Sequence, residues 1–257
     1  MNQFKPIKEF SAGKLTVRIY PDRKTMGMAV ASDVALKMME ILTLKENLRM
    51  IFAAAPSQNE FLAGLSNYKI EWKKVDAFHM DEYVGINSDA PQGFGNFLNR
   101  AIFGLKPFKS VNLINPNAAE KDAECRRYAS LIHQSVVDIC AMGIGENGHL
   151  AFNDPPVADF NDPFTVKTVE LDQLCRQQQV NDGCFAQFSE VPTHAFTLTI
   201  PTLLECSNLF VTVPGKTKAD AVYKTLNNPV NEACPSTILR NYNAILYLDT
   251  DSASLIL

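Results

Sequence analysis

Short runs rich in branched apolar residues recur along the whole chain, and stretches of helical periodicity lie between several of them. The runs are KLTVRIY (14–20), LRMIFAAAP (48–56), VDAFHM (75–80), VNLIN (111–115), VDICAMGI (137–144), AFTLTI (195–200), LFVTVPG (209–215) and AILYLD (244–249). VDICAMGI is almost unbroken in its apolarity, which suits a strand covered on both faces, and parallel sheets bury their strands in that way. Residues 26–42 place Met28, Val30, Ala31, Val34, Ala35, Met38 and Ile41 at three-and-four spacing, predicting a helix with one apolar face. Residues 119–134 and 217–226 show similar periods. Strands alternating with helices predict an α/β fold, a doubly wound and mostly parallel sheet with helices on both faces, Rossmann-like. With 257 residues, 46% of them apolar, one core suffices, so residues 1–257 read as a single domain.

Charge narrows the partners. Lys and Arg total 24 against 28 Asp and Glu, a formal −4, and no block of like charge is long enough to follow a phosphate backbone. Nucleic acid is excluded on that ground. The N-terminal MNQFKPIKEFSAGKL has no apolar leader core, and no stretch approaches the roughly 18 apolar residues of a membrane span, so a cytosolic chain without a membrane partner is expected. Six scattered cysteines, with no C-x-x-C pair and no histidine at finger spacing, read as reduced thiols. The same spacing offers no metal ligand set, and no cofactor is expected.

In a doubly wound sheet ligands sit beyond the carboxyl ends of the strands, which draws attention to the residues following the apolar runs. Asp81 and Glu82 directly follow Phe78-His79-Met80. Two carboxylates beside a low-dielectric sheet can have their pKa values driven apart, leaving one as a base; they read equally well as solvated loop acids or a cap for the next helix. GIGENGHLAFNDPP (143–156) follows the strongest buried-strand signal. Gly143, Gly145 and Gly148 permit a sharp turn that presents His149, with Asn147 and Asp154 near enough to orient its ring. The G-x-G-x-x-G spacing lacks an acidic partner for a ribose, and Pro155 and Pro156 cut off a following helix, so dinucleotide binding is disfavoured. Ser57 and Gln58, in AAAPSQNEF, stand where helix N–H groups bind an anion, although Ser57 explains itself as a cap as well. Lys216 and Lys218 oppose the dipole of the helix they begin, which hints at a phosphate. His79 is ambiguous, while His133 and His194 read as structural or exposed.

FHMDEYVG (78–85) together with GIGENGHLAFNDPP (143–156) resembles the glucosamine-6-phosphate deaminase/isomerase family, whose wider superfamily also holds the 6-phosphogluconolactonases. The resemblance implies an aldose–ketose isomerisation with loss of ammonia, run without metal or organic cofactor on a small-molecule sugar phosphate. It implies that Asp81 moves a proton between C2 and C1, with Glu82 beside it, and that His149 opens the sugar ring with Asn147 and Asp154. Ser57, Gln58, Gly145, Gly148 and Lys218 are then the substrate-binding positions. Asn147 stands where the family has an acid, though some members also carry Asn, and Asp154 stands where it has a glutamate. The glycine- and threonine-rich phosphate turn is replaced by Ala55-Pro56-Ser57-Gln58-Asn59, and QQVNDGCF (178–185) lacks the usual arginine, whose fork a lysine cannot reproduce. Basic residues that serve allosteric activation in some members are missing around 157–167, so no such regulation is expected. A sugar-phosphate lactonase using His149 to activate water, and a sugar-phosphate-binding regulator without catalysis, are the other readings; the sugar epimer and assembly into a homo-oligomer are left open.

Overall fold

The computed structural model describes residues 4–257. In chain order the elements are β1 (Lys8–Ala12), β2 (Leu15–Tyr20), α1 (Arg23–Leu44), β3 (Leu48–Phe52), α2 (Asn59–Ser66), β4 (Val75–His79), β5 (Asp81–Tyr83) and α3 (Phe94–Leu98). There follow β6 (Ser110–Asn112), α4 (Lys121–Ile132), β7 (Ile139–Met142), β8 (Val166–Glu170), α5 (Gln173–Asn181), β9 (His194–Leu198), α6 (Ile200–Leu204), β10 (Asn208–Val213), α7 (Ala219–Asn227) and β11 (Ala244–Asp249).

Eight of the strands form one sheet in the order β1-β2-β11-β10-β7-β3-β4-β6. All its neighbours pair in parallel except the β1–β2 hairpin at the edge. The apolar continuity of β7 has a direct structural cause. Successive strand side chains point to opposite faces, so Ile139 and Ala141 enter a core with α1 and α2, while Cys140 and Met142 enter another with α4, α6 and α7. Both faces are covered, and fully burying each large aliphatic side chain contributes about 1.5–3 kcal/mol. The helix predicted over 26–42 extends over Arg23–Leu44, because Asp22 accepts a hydrogen bond from the Thr25 amide at 2.7 Å and starts it earlier.

One feature differs from the single sheet expected from the sequence, while the reversal expected of a doubly wound sheet is present. The run AFTLTI does form a strand, β9, but it lies in a separate three-stranded antiparallel sheet ordered β5-β9-β8. The chain crosses from one sheet to the other at Met80, whose carbonyl accepts the Leu198 amide at 2.8 Å, and Asp81 is the first residue on the far side. The parallel order also reverses between β3 and β7: from β3 the chain winds outward through β4 and β6, and from β7 through β10 and β11. Such a reversal splays the two following loops apart and leaves a crevice. No described helix is long and apolar enough to cross a membrane.

Candidate active site

That crevice is a cleft of about 270 Å³ over the carboxyl ends of β3, β4, β7 and β10. Asp81 reaches it from β4, Ser57 and Gln58 from β3, Gly145 and His149 from β7, and Lys218 from β10. Four loops distant in sequence thus converge because their strands are neighbours.

Asp81 is 6% exposed, and burial, with the adjacent Glu82 carboxylate as a smaller cause, drives its pKa well above the usual carboxylate range. Glu82 has a different task. Its carboxylate accepts the amides of Tyr83 at 2.9 Å, Phe94 at 3.0 Å and Gly95 at 2.9 Å, holding the start of α3, and it does not line the cleft. The pair anticipated as two reacting carboxylates is therefore one cleft acid and one helix cap, because neighbouring strand residues face opposite ways. His79, ambiguous in the sequence, is fully buried with its pKa lowered by burial to about 3. Its Nε2 accepts the Ile114 amide at 2.8 Å, so it is a neutral brace for the segment after β6.

The loop after β7 is built to fix one imidazole. Gly145 donates its amide to the His149 carbonyl at 3.0 Å, and the ring lies so close over Gly145 that an added Cβ would sit 2.2 Å from it. Gly148 has φ +88, and its carbonyl accepts the Ser236 amide at 2.8 Å. It does not line the cleft, so the substrate contact expected of Gly148 is replaced by a backbone role. Asn147 accepts the His149 amide at 3.0 Å and donates to Asp154 Oδ1 at 2.8 Å. His149 Nδ1 lies 2.8 Å from the same Oδ1, although the ring N–H is not aligned for a linear bond. Burial alone would raise the pKa of Asp154, but the charge and hydrogen bonding of His149, aided by Asn147, hold it below the usual range. Neither Asn147 nor Asp154 lines the cleft; both act on His149 from behind it.

At the other strand ends, Ser57 Oγ caps no helix. It accepts from Gln58 Nε2 at 3.0 Å, within a short helical turn, Pro56–Gln58, that precedes α2. Lys218 is 6% exposed at the end of the turn Lys216–Lys218 and makes no ion pair among the described residues. Burial lowers its pKa, and Asp182 and Glu146 partly offset that. Lys216 is exposed at the rim.

Several cleft residues escaped the sequence reading. The segment that lacks the expected arginine does reach the cleft, but with Gln178, Gln179 and Asp182. Arg23, the first residue of α1, also lines it, with Nε 2.8 Å from Glu60 Oε1 and a hydrogen bond from its guanidinium to the Pro56 carbonyl. The strand-end rule applied to β2 would have pointed to Arg23. Among the described residues one group could hold a metal: His149, Asp154 and Cys175, whose donor atoms lie within 4.8 Å of one another. The cleft thus brings together Asp81, beyond β4, and His149, beyond β7, across the β3–β7 reversal, with the Lys218 ammonium entering from β10 on the His149 side, an arrangement suited to proton transfer on an anchored anionic substrate.

Comparisons with known proteins agree with this geometry. The profile of the family described as glucosamine-6-phosphate isomerases/6-phosphogluconolactonase matches residues 21–247. A glucosamine-6-phosphate deaminase of Listeria innocua is 31% identical over 234 residues, spanning 90% of this chain and 98% of the relative. A solved structure of a monomeric glucosamine-6-phosphate deaminase superposes with a TM-score of 0.85 at 26% identity, covering 93% of this chain and 99% of that one. A 6-phosphogluconolactonase from Thermotoga maritima shares the fold, with a TM-score of 0.72 at 19% identity over 91% of this chain and 99% of its own.

Proposed function

Because the chain belongs to the family of glucosamine-6-phosphate isomerases and 6-phosphogluconolactonases, we propose that it is an amino-sugar-phosphate deaminase, converting glucosamine-6-phosphate or an epimer into a ketose phosphate and ammonia. The observation that carries this reading is the buried, proton-retaining carboxyl of Asp81 in one cleft with the His149–Asp154 pair.

His149, oriented through Nδ1 by Asp154, takes the anomeric hydroxyl proton and delivers a proton to the ring oxygen, opening the sugar. Asp81 then removes the C2 proton and returns it to C1; the C2–H electrons pass through an enolamine whose C1 oxygen takes a proton given up by the C2 ammonium, leaving an iminium at C2. Water adds to that iminium and ammonia leaves, which balances the reaction without metal or organic cofactor. The substrate's own C2 ammonium would favour ionised Asp81 on binding, offsetting its burial. Lys218 anchors the phosphate, with Ser57 and Gln58 on the turn before α2; Gly145 keeps the floor of the cleft open beneath His149. Every group invoked comes from one chain, so the chemistry does not require a homo-oligomer. The six unpaired cysteines are in keeping with the cytoplasm.

The test is ammonium release from glucosamine-6-phosphate and galactosamine-6-phosphate. Turnover of either, abolished in Asp81→Asn, supports the reading; no turnover of both, or full activity in Asp81→Asn, would sink it. Hydrolysis of 6-phosphogluconolactone above its spontaneous rate would move the assignment to the lactonase branch, and tight binding without turnover to a regulator.

A further inference from the structure

Behind the imidazole that lines the cleft, a third element contributes a group that the deamination does not use. Cys175, on α5, is 1% exposed and meets Asp154, 0% exposed, and His149, 8% exposed, so that nitrogen, oxygen and sulfur donors from three separate places lie within 4.8 Å. The sequence could not reveal this set, because the residues are 5 and 21 positions apart and only the packing of α5 onto the His149 loop unites them.

Two of the donors are also left wanting. Asp154 Oδ2, although buried, accepts no N–H or O–H hydrogen bond, the Cys175 thiol being the weak donor to this carboxylate, and His149 Nδ1 has none in alignment despite its short contact with Oδ1. A buried carboxylate oxygen without a strong donor is unfavourable, and a cation placed beside it relieves the deficit. One imidazole, one carboxylate and one thiolate are the ligand types of Zn²⁺, which binds them at about 2.0–2.3 Å in a tetrahedron whose corners are therefore roughly 3.3–3.8 Å apart. Closing from at most 4.8 Å asks each donor to move by about half an ångström. Of the three ligands only His149 lines the cleft, so a metal held at its Nδ1 would sit behind the reacting edge of the ring. A hard cation such as Mg²⁺, which prefers six oxygens, is poorly served by this set.

We propose that His149, Asp154 and Cys175 form an inhibitory site for a thiophilic divalent cation, with Zn²⁺ the best fit. On binding, the Cys175 thiol gives up its proton to solvent and the thiolate ligates the metal, while neutral His149 carries its single proton on Nε2 so that the Nδ1 lone pair ligates and Nε2 can no longer accept the anomeric proton. The same metal takes the lone pairs through which Asp154 orients His149, so ring opening stops. The site is a brake on the active site and not a cofactor position.

Zn²⁺ binding is read by competition with a chromophoric chelator, on the intact protein, for wild type, Cys175→Ser, Cys175→Ala and Cys184→Ser. One Zn²⁺ per wild-type chain is expected. Both Cys175 variants, checked for a normal melting transition, should bind it at least ~10–100-fold more weakly, since losing a ligand costs no less than losing a supporting partner. Cys184→Ser should match wild type and Mg²⁺ should not compete. Equal binding by wild type and the Cys175 variants, or loss of binding in Cys184→Ser, would overturn the site. Inhibition of ammonium release by Zn²⁺ should shift in parallel. The inhibitory consequence rests on the deaminase reading, whereas the chelator competition does not, so a failure of either is visible separately.

Discussion

Two parts of the cleft, entering from the adjacent strands β7 and β10, are built to different standards. Around His149 the loop is tightly braced: the ring lies on Gly145, its amide is held by Asn147, and Asn147 and Nδ1 converge on one oxygen of Asp154. Around Lys218 the ammonium is buried but makes no ion pair, Asp182 faces the same cleft, and Arg23 is engaged with Glu60. The contrast follows from what each side must do. Proton transfer depends on placement to a few tenths of an ångström, whereas an anchor needs only positive charge within reach, so its residues can be exchanged without redesigning the reaction. The departures read from the resemblance fit that division in kind: Asn147 and Asp154 still orient His149, whereas the anchoring side loses a whole turn chemistry and an arginine.

The largest effect expected is at Asp81. Asp81→Asn should lower kcat by roughly 10²–10⁴-fold, the usual contribution of a positioned proton-transfer group. The same change should raise thermal stability at neutral pH. A carboxyl whose folded pKa is raised stabilises the fold most while protonated, and that contribution is lost as pH rises above the ordinary Asp value near 3.8 and through the folded pKa. Asparagine abolishes that loss, so the melting advantage of Asp81→Asn should appear above about pH 4 and grow with pH. Each 1 kcal/mol should move the melting temperature by about 2–4 °C. For the active enzyme the sign is opposite: Asp81 must be ionised to act, so kcat/KM should rise with pH along a limb lying above the ordinary carboxylate range. A limb near pH 4 would remove the physical basis for the assignment.

The anchoring side should respond in binding and not in chemistry. Lys218→Ala removes a hydrogen bond to a charged group, about 1.5–3 kcal/mol, or a ten- to hundredfold rise in KM with kcat little changed. Unphosphorylated glucosamine should be indifferent to the substitution. A fall in kcat instead of a rise in KM would show that the two sides are coupled and break the distinction drawn above. The smallest change is expected from Asp182→Asn, which removes a negative charge that acts on Lys218 across a solvated cleft and should lower KM by at most a few-fold.

What the sequence made legible follows the same division. The His149 loop could be read because its glycines, histidine and orienting residues lie within a dozen positions, and the main sheet because near-continuous apolar runs admit few other folds. Asp81 and Glu82 could not be separated, since one step along a strand reverses the face and nothing in the sequence sets which face meets the cleft. Gln178, Gln179 and Asp182 reach the cleft, and Cys175 the back of the His149 loop, only through packing of α5, whereas Arg23 follows β2 and was open to the strand-end rule. The edge strand β1 and strand β8 were hidden by their polar residues, and β9 reads as a buried strand whichever sheet it joins.

The central claim, that buried Asp81 carries the proton between C2 and C1, is tested most directly by turnover in D₂O with the product followed by NMR. Asp81 exchanges its proton with solvent between removal and return, so wild type should place deuterium at C1 of the ketose phosphate and, on reversal, at C2 of recovered substrate. Asp81→Asn, still binding the substrate, should exchange neither position. Exchange at the wild-type rate in that variant would contradict the account.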